Sequence, residues 1–402
     1  MQRPFISFWF GVQKPDPQTF DLLQEAGYTV PMVAGSVQEN LAMLDLCAER
    51  RMKALVVDSR LTSYGCFSVL TRDPFGRHQE PGVEGDEAEI RRRCEGVVRD
   101  YSAHPALWGY MVSDEPHASQ FAAIGIAVRW LRRLDRRHVP YVNLFPDYAT
   151  PEQLGINPYV QQGEYNPTQS ATQRSSLEIY REHLRQYTRL VPTPWLSYDH
   201  YALWLNGSVN PGYFGNMRAI VDESLRTGRP WIFIYMVSQY APEAVRLPSE
   251  ADMRWQAFTS LAMGAAGLSH FTKEDALNVP ERRAMIRRVN TASEAVLTAL
   301  RGWRWAGARH SAPVPANAGP QDGLLGWRVE CDGEWMAGRF TRGADGRRLL
   351  LVNRSWMNAL RCTVSAGNEL IRAYHSDTRR WTARRTMWQG ELAAGDCVLL
   401  EA

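Results

Sequence analysis

What most constrains this 402-residue chain is a rhythm that runs through its first three quarters. Short, unbroken apolar runs alternate with amphipathic helical patterns, and the runs do not show the in-and-out alternation of a sheet with one wet face. A parallel sheet covered on both faces by crossover helices requires this pattern. The runs are "PFISFWFGV" (4–12), "YTVPMVA" (28–34), "KALVVDSR" (53–60), "ALWGYMVSDEP" (106–116), "PYVNLFPDY" (140–148), "PWLSYDHYAL" (194–203), "PWIFIYMVSQY" (230–240) and "AGLSHFT" (266–272). Each is followed by a helical stretch; the first has Asp16 as its expected N-cap and Gly27 as its stop. Eight strand-helix units in series predict a (β/α)8 barrel, closed by a helix over 281–300. An open, doubly wound sheet is the competing fold, but no glycine-rich phosphate loop follows the first strand.

Past Trp305 the texture changes. A Pro/Gly/Ala-rich segment, "HSAPVPANAGPQDG", leads into short β-like runs separated by turn signals, which predicts a small antiparallel β-sandwich. The expected division is a barrel over 1–308 and a β-domain over 309–402.

Composition narrows the partners. Forty-six basic against 43 acidic residues leave +3, which gives no electrostatic case for nucleic acid or a membrane surface. No run approaches the roughly 20 apolar residues that cross a bilayer. "MQRPFISFWFGVQKP" reads as a first strand, not a signal peptide, so cytoplasmic is the default location. Cys47, Cys66, Cys94, Cys331, Cys362 and Cys397 are scattered without a C-x-x-C pair and read as thiols in a reducing compartment. No cofactor motif is present, and no H-x-H or H-E-x-x-H pattern supports a metal; assembly into a homo-oligomer stays open. The 14 Trp, 16 Tyr and 13 Phe suit either a large core or platforms for sugar rings, with Trp9, Trp204 and Trp305 as stacking candidates.

Barrel sites lie at the C-terminal strand ends. Those ends carry Asp58 on strand three, Asp114 and Glu115 on strand four, and Asn143 on strand five. Strand six ends in Tyr198, Asp199, His200 and Tyr201, strand seven in Tyr235 and Gln239, and strand eight in His270 and Lys273. Carboxylates converging on one mouth are costly to desolvate for stability alone, so they point to function. Neighbours on a strand face opposite ways, so Asp114 and Glu115 share the interior only if the strand has already turned. Pro116 predicts an extended Glu115. Glu115 is then the proton donor and Asp114 its helper.

The pieces "GYMVSDEP", "NLFP" and "LSYDHY", with "YFGNMRAI", "PWIFIYMVSQ" and "RWQAFTSLAMGAAGLSHFT", resemble (β/α)8 glycoside hydrolases distantly similar to the family 42 β-galactosidases and related retaining enzymes. The tail "LIRAYHSDTRRWTARR" to "LAAGDCVLLEA" resembles the small β-sandwich that follows the barrel in that group. The resemblance implies a carbohydrate substrate and Glu115 as general acid/base. It also implies a nucleophilic Glu at the end of strand seven, where this chain has "IYMVSQY". Three routes remain. Asp199 serves as nucleophile or base, retaining at about 5 Å from Glu115 and inverting at about 6.5–9.5 Å. A substrate N-acetyl group attacks, steadied by Asp114. Or Tyr198, Tyr201 or Tyr235 is the nucleophile, as in sialidases. Asp58, Asn143, Tyr198, His200, Tyr201, Tyr235 and Gln239 are the expected sugar contacts. The long connections 59–85 and 148–175 favour a closed pocket and exo action on short substrates. A metal-dependent hydrolase and a non-catalytic carbohydrate-binding barrel are the competing classes.

Overall fold

The computed structural model describes residues 3–9, 11–61, 87–160, 172–239, 241–272, 275–344, 346–376 and 378–402, except for the side chains at 160, 172, 173 and 275. Cys66, Lys273, residues 62–85 of the connection 59–85 and residues 161–171 of the connection 148–175 lie outside the described residues.

Eight parallel strands form the barrel: β1 (Phe5–Phe8), β2 (Met32–Ala34), β3 (Ala54–Val57), β4 (Leu107–Asp114), β5 (Val139–Asn143), β6 (Leu196–Asp199), β7 (Trp231–Met236) and β8 (Gly267–Phe271). They pair as two four-stranded arcs, β2-β3-β4-β5 and β1-β8-β7-β6. Parallel bridges Val12 to Val33 and Leu144 to Tyr198 join the arcs and close the ring. The covering helices are α1 (Pro17–Glu25), α2 (Val37–Glu49), α3 (Glu87–Tyr101), α4 (Phe121–Leu134), α5 (Ser176–Leu190), α6 (Tyr213–Thr227), α7 (Glu250–Ala262) and α8 (Pro280–Ala299). Asp16 caps α1 as its sequence predicts, accepting from the Gln18 and Thr19 amides. Gly27 follows the helix at φ +84°, a conformation only glycine adopts freely.

Side-chain parity divides the core. Phe5, Trp9, Met32, Leu55, Trp108, Met111, Tyr141, Ile232 and Ile234 fill the barrel interior, while Ile6, Phe8, Val33, Val56, Tyr110, Val142, Tyr198, Phe233 and Tyr235 face the helices. Much of the aromatic surplus therefore serves packing: Phe5 lies 4.5 Å from Trp108, and Trp9 lies 5.7 Å from Tyr141, between ring centroids.

Strand β4 breaks the parity twice. Its register with β3 slips at Trp108, where Gly109 lets the Val139 carbonyl come within 2.2 Å of where a Cβ would stand. Its register with β5 slips again between Met111 and Ser113, so that Ser113 pairs with outward Val142 and Asp114 with inward Asn143. A β-bulge of this kind re-aims a side chain without ending the ladder.

The C-terminal domain is two antiparallel sheets. Its strands are β9 (Arg304–His310), β10 (Arg328–Cys331), β11 (Trp335–Arg342), β12 (Gly346–Asn353), β13 (Leu360–Ser365), β14 (Arg372–His375), β15 (Arg380–Trp381), β16 (Met387–Leu392) and β17 (Cys397–Glu401). One sheet runs β9-β11-β12-β17-β14-β15 and the other β10-β13-β16, with Ala337, Leu349, Leu351, Cys362, Val364 and Leu400 in the core between them. The division expected at 308/309 falls inside β9, which already pairs with β11, so this domain takes up the chain from Arg304. Trp305, offered as a sugar platform, donates its indole N–H to the Ala262 carbonyl and packs at Gly264 in the seam with the barrel.

The seam is close-packed at Gly338, where a Cβ would sit 2.0 Å from the Ala262 carbonyl oxygen. Gly338→Ala should cost about 3 kcal/mol, seen as a lower urea midpoint of unfolding. An unchanged midpoint would show that the seam is slack.

Candidate active site

Inward parity and the β4 bulge bring Asp114, Glu115, Asn143 and Asp199 together at the C-terminal mouth. The central contact is the Asn143 side-chain amide. Its Nδ2 donates to Asp114 Oδ1 at 3.0 Å and to Asp199 Oδ1 at 2.8 Å. The opposite edge of that amide is fixed from below, since Ser197 Oγ donates to Asn143 Oδ1 at 3.1 Å. Ser197 has one hydroxyl proton, so its 2.6 Å contact with Tyr141 is a hydrogen bond donated by the phenol. The chain Tyr141 to Ser197 to Asn143 thus sets which way the amide faces.

Glu115 does not adopt the extended conformation that Pro116 predicts. Its φ is +43°, in the left-handed region, and its N–H donates to the Asn143 carbonyl at 3.0 Å. Such a conformation costs a non-glycine residue about 1–2 kcal/mol, and strain of this kind gathers at functional sites. The turn follows directly on the bulge, so both carboxylates of "SDEP" face the mouth. The Glu115 carboxyl meets Asp199 and hydrogen-bonds to it.

Three carboxyls crowded together, with no cationic side chain paired to them among the described residues, cannot all ionise at neutral pH. Burial, with Asp199 and Asp114 alongside, pushes Glu115 far above the usual carboxylate range. Burial and the Asp114 charge raise Asp199 to about 7, against the pull of Asn143 and Glu115. Asp114 is raised to about 6, mainly by loss of solvation; water reaches it through the mouth, and its rise is the smallest of the three. Glu115 is therefore the protonated member, and the proton lies between it and Asp199.

The other expected residues divide by the same parity. Asp58 faces the helices, where Arg60 grips both its oxygens at 2.9 and 2.7 Å and the Tyr101 hydroxyl donates at 2.9 Å. These bonds hold its carboxyl below the usual range despite burial. It is an anchor between β3 and α3, not a mouth residue. Tyr198 is wholly buried on the outer face against Trp231 and Phe233. Tyr235 is likewise outside the barrel, bonded at 2.7 Å to His270, which bonds in turn to Tyr28 at 3.0 Å. Neither tyrosine reaches a bound sugar, which removes both as nucleophiles.

Tyr201 stays at the mouth, half-buried, near Asp199, Tyr148, Glu115 and Asp114. Burial and the surrounding charges hold its phenol well above its ordinary value, which suits a hydrogen-bond donor and opposes a phenolate nucleophile. His200 is fully buried between the rings of Tyr148 and Tyr213, with Nε2 3.7 Å from Asp147, and burial lowers it to about 3. It props the floor behind Asp199 as a neutral ring. Gln239 donates to the Val245 carbonyl at 2.8 Å and pins the connection after β7.

Of the stacking candidates, Trp9 is buried in the barrel, whereas Trp204 is 38% exposed near the mouth. Tyr148, which sequence reasoning passed over, is 46% exposed and accepts the Tyr201 N–H at 3.2 Å. Ser197 and Tyr141 were also passed over. Their signal was parity, each standing two residues before a mouth residue on the same strand face. Among the described residues no group of three His, Cys, Asp or Glu side chains is placed to hold a metal ion, and no helix is long and apolar enough to cross a membrane.

No protein-family model matches this chain, and no curated protein matches it in sequence. Solved structures do match its fold. One is described as a glycoside hydrolase, with TM-score 0.56 and 11% identity over 99% of this chain and 92% of that one. A family 5 glycoside hydrolase from Bacteroides vulgatus gives TM-score 0.56 and 12% identity over 99% and 88%. Alpha-galactosidase I from Mortierella vinacea gives 0.51 and 7% over 99% and 96%. These likenesses, each spanning 99% of this chain, take in both its (β/α)8 barrel and its appended antiparallel domain.

A buried carboxyl whose pKa rises on folding stabilises the fold only while it is protonated. Glu115 takes up its proton far more readily folded than unfolded, so stability falls as pH rises past its ordinary value of 4.5. Glu115→Gln removes that dependence. The variant should melt at a higher temperature than wild type at pH 7–9, with the gap closing toward pH 4. A wild-type melting curve at or above that of the variant at pH 8 would contradict the protonated Glu115.

Proposed function

We propose that this protein is a retaining glycoside hydrolase, with Glu115 as general acid/base and Asp199 as nucleophile. The observation that carries the reading is the convergence of Asp114, Glu115 and Asp199 at the mouth, with Asp114 and Asp199 bridged by the Asn143 amide. Carboxyls close enough to influence each other's protonation lie nearer the roughly 5–5.5 Å separation of retaining pairs than the about 6.5–9.5 Å of inverting pairs. Protonated Glu115 gives its proton to the glycosidic oxygen as Asp199 attacks the anomeric carbon. The alcohol leaves and a glycosyl ester forms on Asp199. Glu115, now ionised, takes a proton from water, the water attacks the anomeric carbon, and Asp199 is released.

This places the nucleophile on β6. A family 42-like enzyme would carry it after β7, where Ser238 hydrogen-bonds to Thr272 at 2.7 Å and Gln239 pins a connection. The likeness to family 42 therefore supports the role of Glu115 and not the whole apparatus. Trp204 and Tyr148 on the rim fit a short carbohydrate held by its end, in keeping with exo action.

A second reading has its own support. The bulge turns Asp114 inward beside Glu115, which is how an aspartate would orient a 2-acetamido group that attacks in place of Asp199. The two readings part on substrate: only the second requires an N-acetylated sugar.

Aryl and alkyl glycosides, with and without a 2-acetamido group, should be screened on wild type, Glu115→Gln and Asp199→Asn. Loss of the acid is expected to cost roughly 10²–10⁴-fold on alkyl glycosides and much less on nitrophenyl glycosides, whose leaving group needs little protonation. Asp199→Asn should abolish turnover of both. Equal losses for both leaving groups in Glu115→Gln would remove the acid assignment, and binding without turnover in wild type would mark a non-catalytic barrel.

A further inference from the structure

The C-terminal domain holds a pair of cysteines that the proposed reaction does not use. Cys331 ends β10 and stands directly opposite Cys362 on β13. β10 is an outer strand of its three-stranded sheet and is only four residues long. The next rung is tied by hydrogen bonds: the Asp332 N–H donates to the Arg361 carbonyl at 3.2 Å, and the Arg361 N–H to Asp332 Oδ1 at 2.9 Å. Rungs alternate in an antiparallel pair, so Cys331 and Cys362 occupy the non-hydrogen-bonded rung, where Cα atoms approach to about 4.5 Å and side chains are closest. That lies within the roughly 4.4–6.8 Å a disulfide spans. The two thiols are free. Cys362 is buried in the core between the two sheets, and half-buried Cys331 packs against that core at the end of its strand.

We propose that Cys331 and Cys362 are a redox-active dithiol that closes to a cross-strand disulfide when a small-molecule disulfide reaches the half-buried Cys331 at the end of the outer strand, stapling β10 to the sheet. The more accessible Cys331 attacks the external disulfide as a thiolate, forming a mixed disulfide and releasing one thiol. Cys362 then attacks the Cys331 sulfur and expels the second. One disulfide and two thiols become one disulfide and two thiols, the protons passing to the released thiols. In a reducing compartment the pair stays open. In an oxidising one it cross-links the 331–362 segment and removes freedom from the unfolded chain.

The test uses the full chain incubated with oxidised glutathione, then denatured, alkylated and digested. A peptide linked through Cys331 and Cys362, two hydrogens lighter than its reduced parts and reversed by dithiothreitol, is expected. The oxidised protein should also melt several degrees above the reduced one, a rise that Cys331→Ser and Cys362→Ser both lack. If the buried serine at 362 prevents folding, Cys331→Ser alone gives the comparison. Recovery of the two cysteines singly glutathionylated or alkylated overturns the proposal, as does a link that leaves the melting temperature of the reduced protein unchanged.

Discussion

One side-chain amide holds this site together. Asn143 donates a hydrogen bond to each of two aspartates, one from the strand on either side of its own. Without that amide, Asp114 and Asp199 would face each other as like charges in a poorly solvated recess. With it, one aspartate can remain ionised while Glu115 keeps the proton. The barrel supports the amide through Ser197 and Tyr141, and the tightly packed aromatic interior beneath them keeps that relay in place.

Two backbone irregularities deliver the carboxyls to the amide. The bulge at Val112 and Ser113 turns Asp114 inward, and the left-handed φ of Glu115 turns the next carboxyl the same way. Both cost stability locally, and burying the carboxyls costs more. A fold whose mouth served only structure would gain by replacing them with neutral side chains. Their retention against that gradient is the physical reason to read them as chemistry, much as the buried Asp58, fully satisfied by Arg60 and Tyr101, is the reason to read that residue as scaffold.

The eight-unit barrel and the change of texture near Trp305 were legible because apolar runs, caps and turn residues report directly on local structure. Asn143, Asp199 and Glu115 were legible from their place at strand ends. The two-residue period already implied that Tyr198 and Asp199 face opposite ways, and applying it to every strand would have set Asp58, Tyr198 and Tyr235 among the helices. The turn at Glu115 was not legible. Pro116 argues locally for an extended residue, and the opposing forces, a register slip against β5 and a proton shared with β6, depend on residues 28 and 84 positions away. The change of texture near Trp305 did not show that Arg304–His310 is itself a strand, because it shows its sheet only through its pairing with a strand some thirty residues later.

If the Asn143 amide sets the charge of the cluster, the pH dependence of kcat/KM on any glycoside the protein turns over should show it. As the proposed nucleophile, Asp199 would have to be ionised to attack, so the acidic limb should fall near pH 7, where burial places that carboxyl, and not near the ordinary aspartate value of 3.8. Asn143→Ala takes away the donor that pulls Asp199 down, so its acidic limb should move to still higher pH while the alkaline limb, set by Glu115, persists. An acidic limb near pH 4 that stays put in Asn143→Ala would contradict the account.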